Sequence, residues 1–341
     1  MHCIGPSEFE ASEKEVIVDC ACAAALLRGA DLFVPGVLGM SESIRKNDQV
    51  SVWADLEGKC LKGWKRHFES GPKLFIGNGI CLFSREEVFS DGDQPKGVAV
   101  CMTRLKYILP SLNGCLTGTI FLQNLPSIIA VHTLNPTSGS RVLDMCAAPG
   151  GKTCHLAALM QNRGQIIALD KNRAKVEKIE QNCRLLGVDI VMAMVADSTK
   201  LQVLGDPFTK NSFDFILLDP PCSGLGQRPN LNLRDFELSE KFLSGHAPYQ
   251  RQLFETAWFL LKPGGTLVYS TCTINPSENE ENVAHFLNLY QDASLVPIRN
   301  QVLEKYCQPG LNGLNVCRFW PNRDDPHTDQ IGFFIAKFKK G

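Results

Sequence analysis

From about Arg104 onward, short apolar runs alternate with segments of helical character. Arg141–Met145, Gln165–Asp170, Val191–Ala196, Phe213–Asp219, Thr266–Ser270 and Gly332–Phe338 read as strands. Thr153–Met160, Arg173–Leu186, Pro248–Leu261 and Glu278–Tyr290 read as helices. Alternation of this kind predicts an α/β fold: a doubly wound, mostly parallel, Rossmann-like sheet with helices on both faces. Ligands of such sheets bind beyond the carboxyl ends of the strands. The residues that end each strand are therefore the first candidates for a site.

Residues 16–100 follow a different pattern. Val16–Val18, Gln49–Ala54, Lys73–Ile76 and Ile80–Phe83 are β-rich, and glycines such as Gly63, Gly77 and Gly79 punctuate them. Asp19–Arg28 is Ala-rich and favours a helix. A small mostly-β, barrel-like domain is expected. Its Lys/Arg and Asp/Glu nearly balance, yet Lys59, Lys62, Lys65 and Arg66 cluster with no acid among them.

A length of 341 residues allows two domains, and an apolar share of 44% supplies a sizeable core. The formal net charge is −1, so a nucleic-acid partner would have to be held by local patches. The fourteen cysteines are dispersed, without a CxxC pair. Cys20-x-Cys22 has no second pair or nearby His, so no metal site is expected. Many free thiols suit a reducing compartment. Residues 1–15 lack the apolar run of a signal peptide. No apolar stretch reaches the roughly 20 residues that span a bilayer. A soluble, cytoplasmic protein is expected.

The segment Asp144-Met-Cys-Ala-Ala-Pro-Gly-Gly-Lys-Thr153 follows the first strand of the second half and opens a helix. Its glycines permit close backbone approach, and the helix start offers free N–H groups. A phosphate-binding Walker loop would need Gly where Cys146 stands, and G-x-G-x-x-G is absent. Asp170, Asp197 and Asp219 end three further strands. Asp170 is placed like an acid that accepts ribose hydroxyls, and Asp197 could meet an adenine end. The competing reading is that these acids cap the helices that follow.

Two cysteines also stand at strand ends, in Asp219-Pro-Pro-Cys222 and Ser270-Thr-Cys272. A buried Cys is usually an inert small hydrophobe. Methyltransferases acting on exocyclic amines commonly carry an aromatic residue after the Pro-Pro pair; Cys there argues against amine methylation. Thiols suit carbon-5 methylation of cytosine. Thiolate attack at carbon 6 makes carbon 5 nucleophilic. An acid such as Asp219 can assist at ring N3, and a second thiol can assist the final elimination.

At Asp144–Thr153, Asp219–Gly224 and Tyr269–Thr273 the chain strongly resembles the NOL/NOP/Sun family of RNA cytosine-5 methyltransferases. Leu261-Lys-Pro-Gly-Gly265, Glu278-Asn-Glu-Glu281 and Gly332-Phe-Phe-Ile-Ala336 extend the likeness over residues 104–341. The family implies S-adenosyl-L-methionine as cofactor, Cys272 as nucleophile and Cys222 as release cysteine. It implies Cys146, Ala147, Ala148, Pro149, Gly150, Gly151, Lys152, Asp170, Asp197 and Asp219 around the cofactor. Leu27–Gly36, Asn47–Val52 and Phe75–Gly79 resemble a PUA domain, a small RNA-binding pseudo-barrel. Members that join the two domains act on tRNA near the acceptor end and on mRNA.

The expected organisation is an N-terminal remnant at 1–15, a PUA-like RNA-binding domain at 16–103 and the methyltransferase domain at 104–341. Arg28, Phe33, Lys62, Lys65 and Asn78 are the candidate RNA contacts, although a charge run is often only solvated surface. Two other functions compete: an RNA-binding protein with a decayed catalytic core, and a P-loop NTPase.

Overall fold

The computed structural model describes residues 9–90, 95–106, 116–231, 240–298, 305–321, 325 and 328–341. The chain divides into two compact units, each built on its own sheet.

Among the described residues, the first unit holds six strands: Glu15–Val18, Leu32–Phe33, Val37–Met40, Gln49–Asp55, Lys73–Cys81 and Val98–Leu105. Glu15–Val18 pairs parallel with Gln49–Asp55 and antiparallel with Val37–Met40. The Ala-rich stretch forms the helix Cys20–Leu27, whose start is capped by Asp19 accepting from the Cys22 amide at 2.6 Å. The helix buries Ala23 and Leu26 against Val50, Val52 and Ile76. Leu26 is fully buried; its truncation to Ala would cost about 2–5 kcal/mol. Arg228–Leu231 group with this unit, and the Cys20 thiol donates to the Leu231 carbonyl at 3.2 Å.

One expectation is corrected here. Lys73–Ile76 and Ile80–Cys81 are not two strands but parts of one, Lys73–Cys81, and Leu82 and Phe83 lie beyond its end. Gly77 and Gly79 do not break it. A Cβ at Gly77 would lie 2.4 Å from the Arg104 carbonyl, and one at Gly79 2.5 Å from Val100 Cγ1. Glycine is used at both for close approach of the neighbouring strand, where the register shifts.

In the second unit, five strands run parallel in the order Leu261–Thr271, Phe213–Leu218, Arg141–Asp144, Gln165–Asp170, Val191–Val195. Phe333–Lys340 adds antiparallel beside Leu261–Thr271. Side chains alternate between faces along each strand. Leu143, Leu218 and Tyr269 pack with Phe254 and Phe286 from the helices Ala247–Leu260 and Glu280–Leu289. Val142, Leu217 and Val268 pack with Ile129 and Leu156 from the helices Leu125–Leu134 and Gly151–Leu159. Both faces are thus covered, as a parallel sheet requires.

Chain order reverses between Arg141–Asp144 and Phe213–Leu218: the next two strands in sequence extend one side, the later ones the other. Their carboxyl ends, Asp144 and Asp219, mark the switch point where such sheets bind ligands.

Candidate active site

The Met145–Gly150 loop turns back from the first parallel strand into the helix Gly151–Leu159. Gly150 adopts φ 102°, open to glycine at little cost. The Ala147 amide donates to the Leu169 carbonyl at 2.8 Å, and Asn182 Nδ2 to the Pro149 carbonyl at 2.8 Å, so the loop is fixed from both sides. A Cβ at Gly151 would meet the Phe121 ring at 2.6 Å, so a side chain there would have to displace that ring.

Cys146, Ala147, Ala148, Pro149, Gly151, Lys152 and Asp219 line a cavity of about 230 Å3, together with Asp144. A second cavity, of about 50 Å3, is lined by Cys146, Asp170 and Tyr249. Cys146 is half-buried and lines both cavities, and desolvation pushes its pKa up. Asp197 lines neither cavity. Its Oδ1 accepts from both the amide and the hydroxyl of Thr199, and these bonds hold its pKa down. These bonds close the turn after the strand and do not cap the helix Leu201–Val203, whose N-cap is Lys200. Asp170 borders the cavity while its Oδ1 accepts from the Asn172 amide at 2.9 Å; the helix that follows is capped by Asn172, not by Asp170.

The donor and acceptor set fits a cationic, hydroxyl-bearing cofactor. Asp144 is 1% exposed; its Oδ2 accepts from Thr153 Oγ1 at 2.8 Å. Its Oδ1 has no well-formed hydrogen bond among the described residues. Burial raises this carboxyl to about 7. An orphaned acceptor in a cavity wall awaits a donor. Lys152, which would grip phosphate in a Walker loop, instead donates to Asp219 Oδ2 at 2.7 Å.

Cys222 and Cys272 converge, as the strand ends implied. Their sulfurs stand 3.3 Å apart and both thiols are free. The Cys222 hydrogen bond draws the Cys272 pKa down from 9.0 to about 7, against burial; Gln227 also lowers it. The Cys222 pKa moves up through the same bond and through desolvation. The one bond thus favours the thiolate on Cys272 and the thiol on Cys222. Thiolate character is what a sulfur nucleophile needs. Asp219 lies at the same strand ends, with Oδ1 accepting from Ser270 Oγ at 2.7 Å.

Sequence reasoning quoted Glu278-Asn-Glu-Glu281 but gave it no role. The structure buries Glu278, Asn279, Glu280 and Asn282. Asn279 grips the chain on both sides of Cys272: Oδ1 accepts from Thr271 Oγ1 at 2.6 Å, and Nδ2 donates to the Thr273 carbonyl at 3.0 Å. Glu280 pairs with Arg318 at 2.9 Å. Four polar residues within five positions, ahead of an apolar helix face, were the available signal.

The RsmB/F-type 16S rRNA methyltransferase model matches residues 131–339, and a PUA domain model matches residues 14–89. The chain belongs to the Sun family of RNA cytosine-5 methyltransferases. It is 43% identical to the mouse tRNA (cytosine(72)-C(5))-methyltransferase NSUN6, over 98% of this chain and 76% of the relative. The human protein of that name is also 43% identical, over 99% of this chain and 78% of the relative. The crystal structure of NSun6 from Pyrococcus horikoshii with SFG superposes with a TM-score of 0.77 at 34% identity, covering 98% of this chain and 79% of that one. SFG is an analogue of S-adenosylmethionine. This Sun-family chain is an RNA (cytosine-5-)-methyltransferase with S-adenosyl-L-methionine as its cofactor.

Sun-family enzymes that also carry a PUA domain have a second surface to consider. Phe33 is 53% exposed and Arg28 is exposed. Lys62 Nζ donates to the Pro35 carbonyl at 3.2 Å, which brings it to the turn that follows Phe33. Lys62, Lys65 and Arg66 border a hollow with Leu61 and Trp64. Lys65 pairs with Glu42 at 3.0 Å, but both are largely exposed, and such pairs are weak. Asn78 does not belong to this surface. It is buried, its Nδ2 donates to the Glu10 carbonyl at 2.9 Å and its Oδ1 accepts from the Ser12 amide. Its side chain anchors the segment before the first strand, which corrects its assignment as an RNA contact.

No helix among the described residues is long and apolar enough to cross a membrane.

Proposed function

We propose that this enzyme methylates carbon 5 of a cytosine near the acceptor end of tRNA, with mRNA as a second substrate class, through a covalent bond to Cys272. The observation that carries the reading is the 3.3 Å contact between Cys222 and Cys272, which favours the thiolate on Cys272. The tRNA assignment is supported by the relatives named for cytosine 72.

The Cys272 thiolate attacks carbon 6 of the cytosine, forming an S–C bond and moving the ring's double-bond electrons toward carbon 5. As charge builds at ring N3 it takes a proton from water, and Asp219, oriented by Lys152 and Ser270, accepts from the N3–H so formed; that proton returns to water when the ring is released. S-adenosylmethionine, when bound, supplies the methyl group that carbon 5 takes. The carbon-5 proton then passes to water, and the S–C electron pair returns to Cys272. The Cys222 thiol donates to that departing thiolate, restoring the resting pair.

Around the cofactor, the Cys146–Lys152 loop and Asp170 supply the walls and polar contacts, and Asp144 offers its orphaned oxygen to a cationic or hydroxyl donor. Residues 16–103 serve as the RNA-binding domain, with Arg28, Phe33, Lys62 and Lys65 as its contacts, and 104–341 as the catalytic domain. The thiolate chemistry and the dispersed cysteines fit a reducing, cytoplasmic setting.

Bisulfite mapping of tRNA after incubation with enzyme and cofactor tests the substrate. Protection of an acceptor-end cytosine is expected; protection confined to other positions, or none, would overturn the assignment.

A further inference from the structure

The side chain of Glu278 is fully buried, yet among the described residues no cation pairs with it. Four neutral donors surround its carboxylate. Oε2 accepts from the Ser223 amide at 3.0 Å and from Gln250 Nε2 at 2.9 Å. Oε1 accepts from Ser223 Oγ and from Asn275 Nδ2 at 3.0 Å. Burying a carboxylate without a countercharge is costly unless its hydrogen bonds are complete. A fold retains such a group where the geometry it enforces has a use.

Its partners belong to two separate loops. Ser223 directly follows Cys222. Asn275 lies three residues beyond Cys272, and Thr273, next to Cys272, shares a 2.7 Å hydrogen bond with Ser223 Oγ. Gln250 extends the grip, donating also to the Pro221 carbonyl at 3.1 Å, on the other side of Cys222. One carboxylate thus ties the chain on either side of one cysteine to the chain just past the other.

We propose that Glu278 is a positioning residue that clamps the Cys222 and Cys272 loops together, so that their sulfurs are held in hydrogen-bond contact. The proposal rests on the assignment of Cys272 as nucleophile. Without the clamp the sulfurs drift apart, Cys272 loses the bond that most favours its thiolate, and its titration moves up toward 9.0. Gln227, Asp219 and Lys152 are the other groups acting on that thiol; none of them hydrogen-bonds Glu278, so they stay in place when it is changed.

The test compares wild type with Glu278→Gln. The amide keeps the shape but replaces one acceptor oxygen with a donor. Either way it turns, that donor faces another fixed donor, Gln250 Nε2 or Asn275 Nδ2. The probe is iodoacetamide across a pH series, with alkylation at Cys272 followed by peptide mass spectrometry. Wild-type Cys272 should react with a midpoint near 7, and the variant's midpoint should rise by at least about one pH unit. Its kcat should fall about 100-fold, in keeping with what a small misplacement costs, while KM for RNA and cofactor affinity stay within about threefold. If Glu278→Gln does not fold, Ser223→Ala carries the same test, with a smaller rise because the Ser223 amide still reaches Glu278. A folded variant with the wild-type midpoint and kcat overturns the clamp, even if it is less stable. A wild-type Cys272 that titrates like an ordinary thiol would overturn the nucleophile assignment first, and the clamp with it.

Discussion

Lys152 Nζ donates to Asp219 Oδ2 across 2.7 Å, tying the cofactor loop to the end of the strand that leads to Cys222. Burial disfavours the charge on Lys152, but the Asp219 charge and hydrogen bond outweigh it and raise the pKa. The pair joins the two halves of the site at the point where strand order reverses. Lys152→Met keeps the stem and removes the charge, leaving Asp219 with Ser270 alone. Methylation kcat/KM should drop at least about tenfold, or 1.4 kcal/mol. Steady-state kinetics measure it, and an unchanged value would mean that the ion pair is not used.

The pH dependence follows from the cysteine pair. Cys272 in the folded protein is held below the usual thiol value, at about 7. Its thiolate is therefore present above that pH and is lost as pH falls through it. Single-turnover methylation should rise between about pH 6 and 8 and then level. The shift depends first on the Cys222 hydrogen bond, so Cys222→Ala should move the inflection for adduct formation upward. A profile with no inflection below about 8.5 in the wild type would contradict this.

Asp144 supplies a second pH effect, of opposite sense. Its folded pKa is raised to about 7 from 3.8, so the stability it contributes is present at low pH and lost as pH rises through about 7. Asp144→Asn abolishes that titration. Without cofactor, the melting temperature of the variant relative to wild type should increase from pH 5 to pH 8. A constant difference would show that Asp144 does not titrate in this range.

Asp170→Ala should weaken cofactor binding by about 1–3 kcal/mol, the typical cost of leaving a buried hydroxyl without its acceptor. Calorimetry decides between this and a purely local role in accepting from the Asn172 amide, which would leave the dissociation constant unchanged.

Neutralising Lys62 and Lys65 should weaken RNA binding and flatten its salt dependence by about one log–log unit, or slightly less, per lost phosphate contact. Affinities across a salt series measure it. Parallel slopes for wild type and the double Ala variant would remove this patch from the RNA surface.

The strand-end residues were legible in the sequence because two signals coincide there: an apolar run that fixes a strand, and a polar or sulfur-bearing residue just past it. That is how Cys222, Cys272 and Asp219 were found together. The helix Leu125–Leu134 was missed. The close approach that lets the loops meet was not readable either: a Cβ at Gly226 would sit 1.9 Å from the Gly332 carbonyl, a contact between positions 106 residues apart. Asn78 misled because a polar residue inside a strand looks exposed until the segment that covers it is known. Glu278 was visible only as part of a motif, because periodicity describes an element and not the partners its side chains reach.

The central claim is that Cys272 carries the cytosine and Cys222 releases it. The direct measurement is to incubate Cys222→Ala with substrate RNA and cofactor, separate the products on a denaturing gel, and map the cross-linked peptide by mass spectrometry. A slow-migrating protein–RNA species, with the nucleotide on Cys272 and absent from Cys222→Ala/Cys272→Ala, is the predicted result. Normal turnover by Cys222→Ala without such a species, or a nucleotide attached elsewhere, would contradict it.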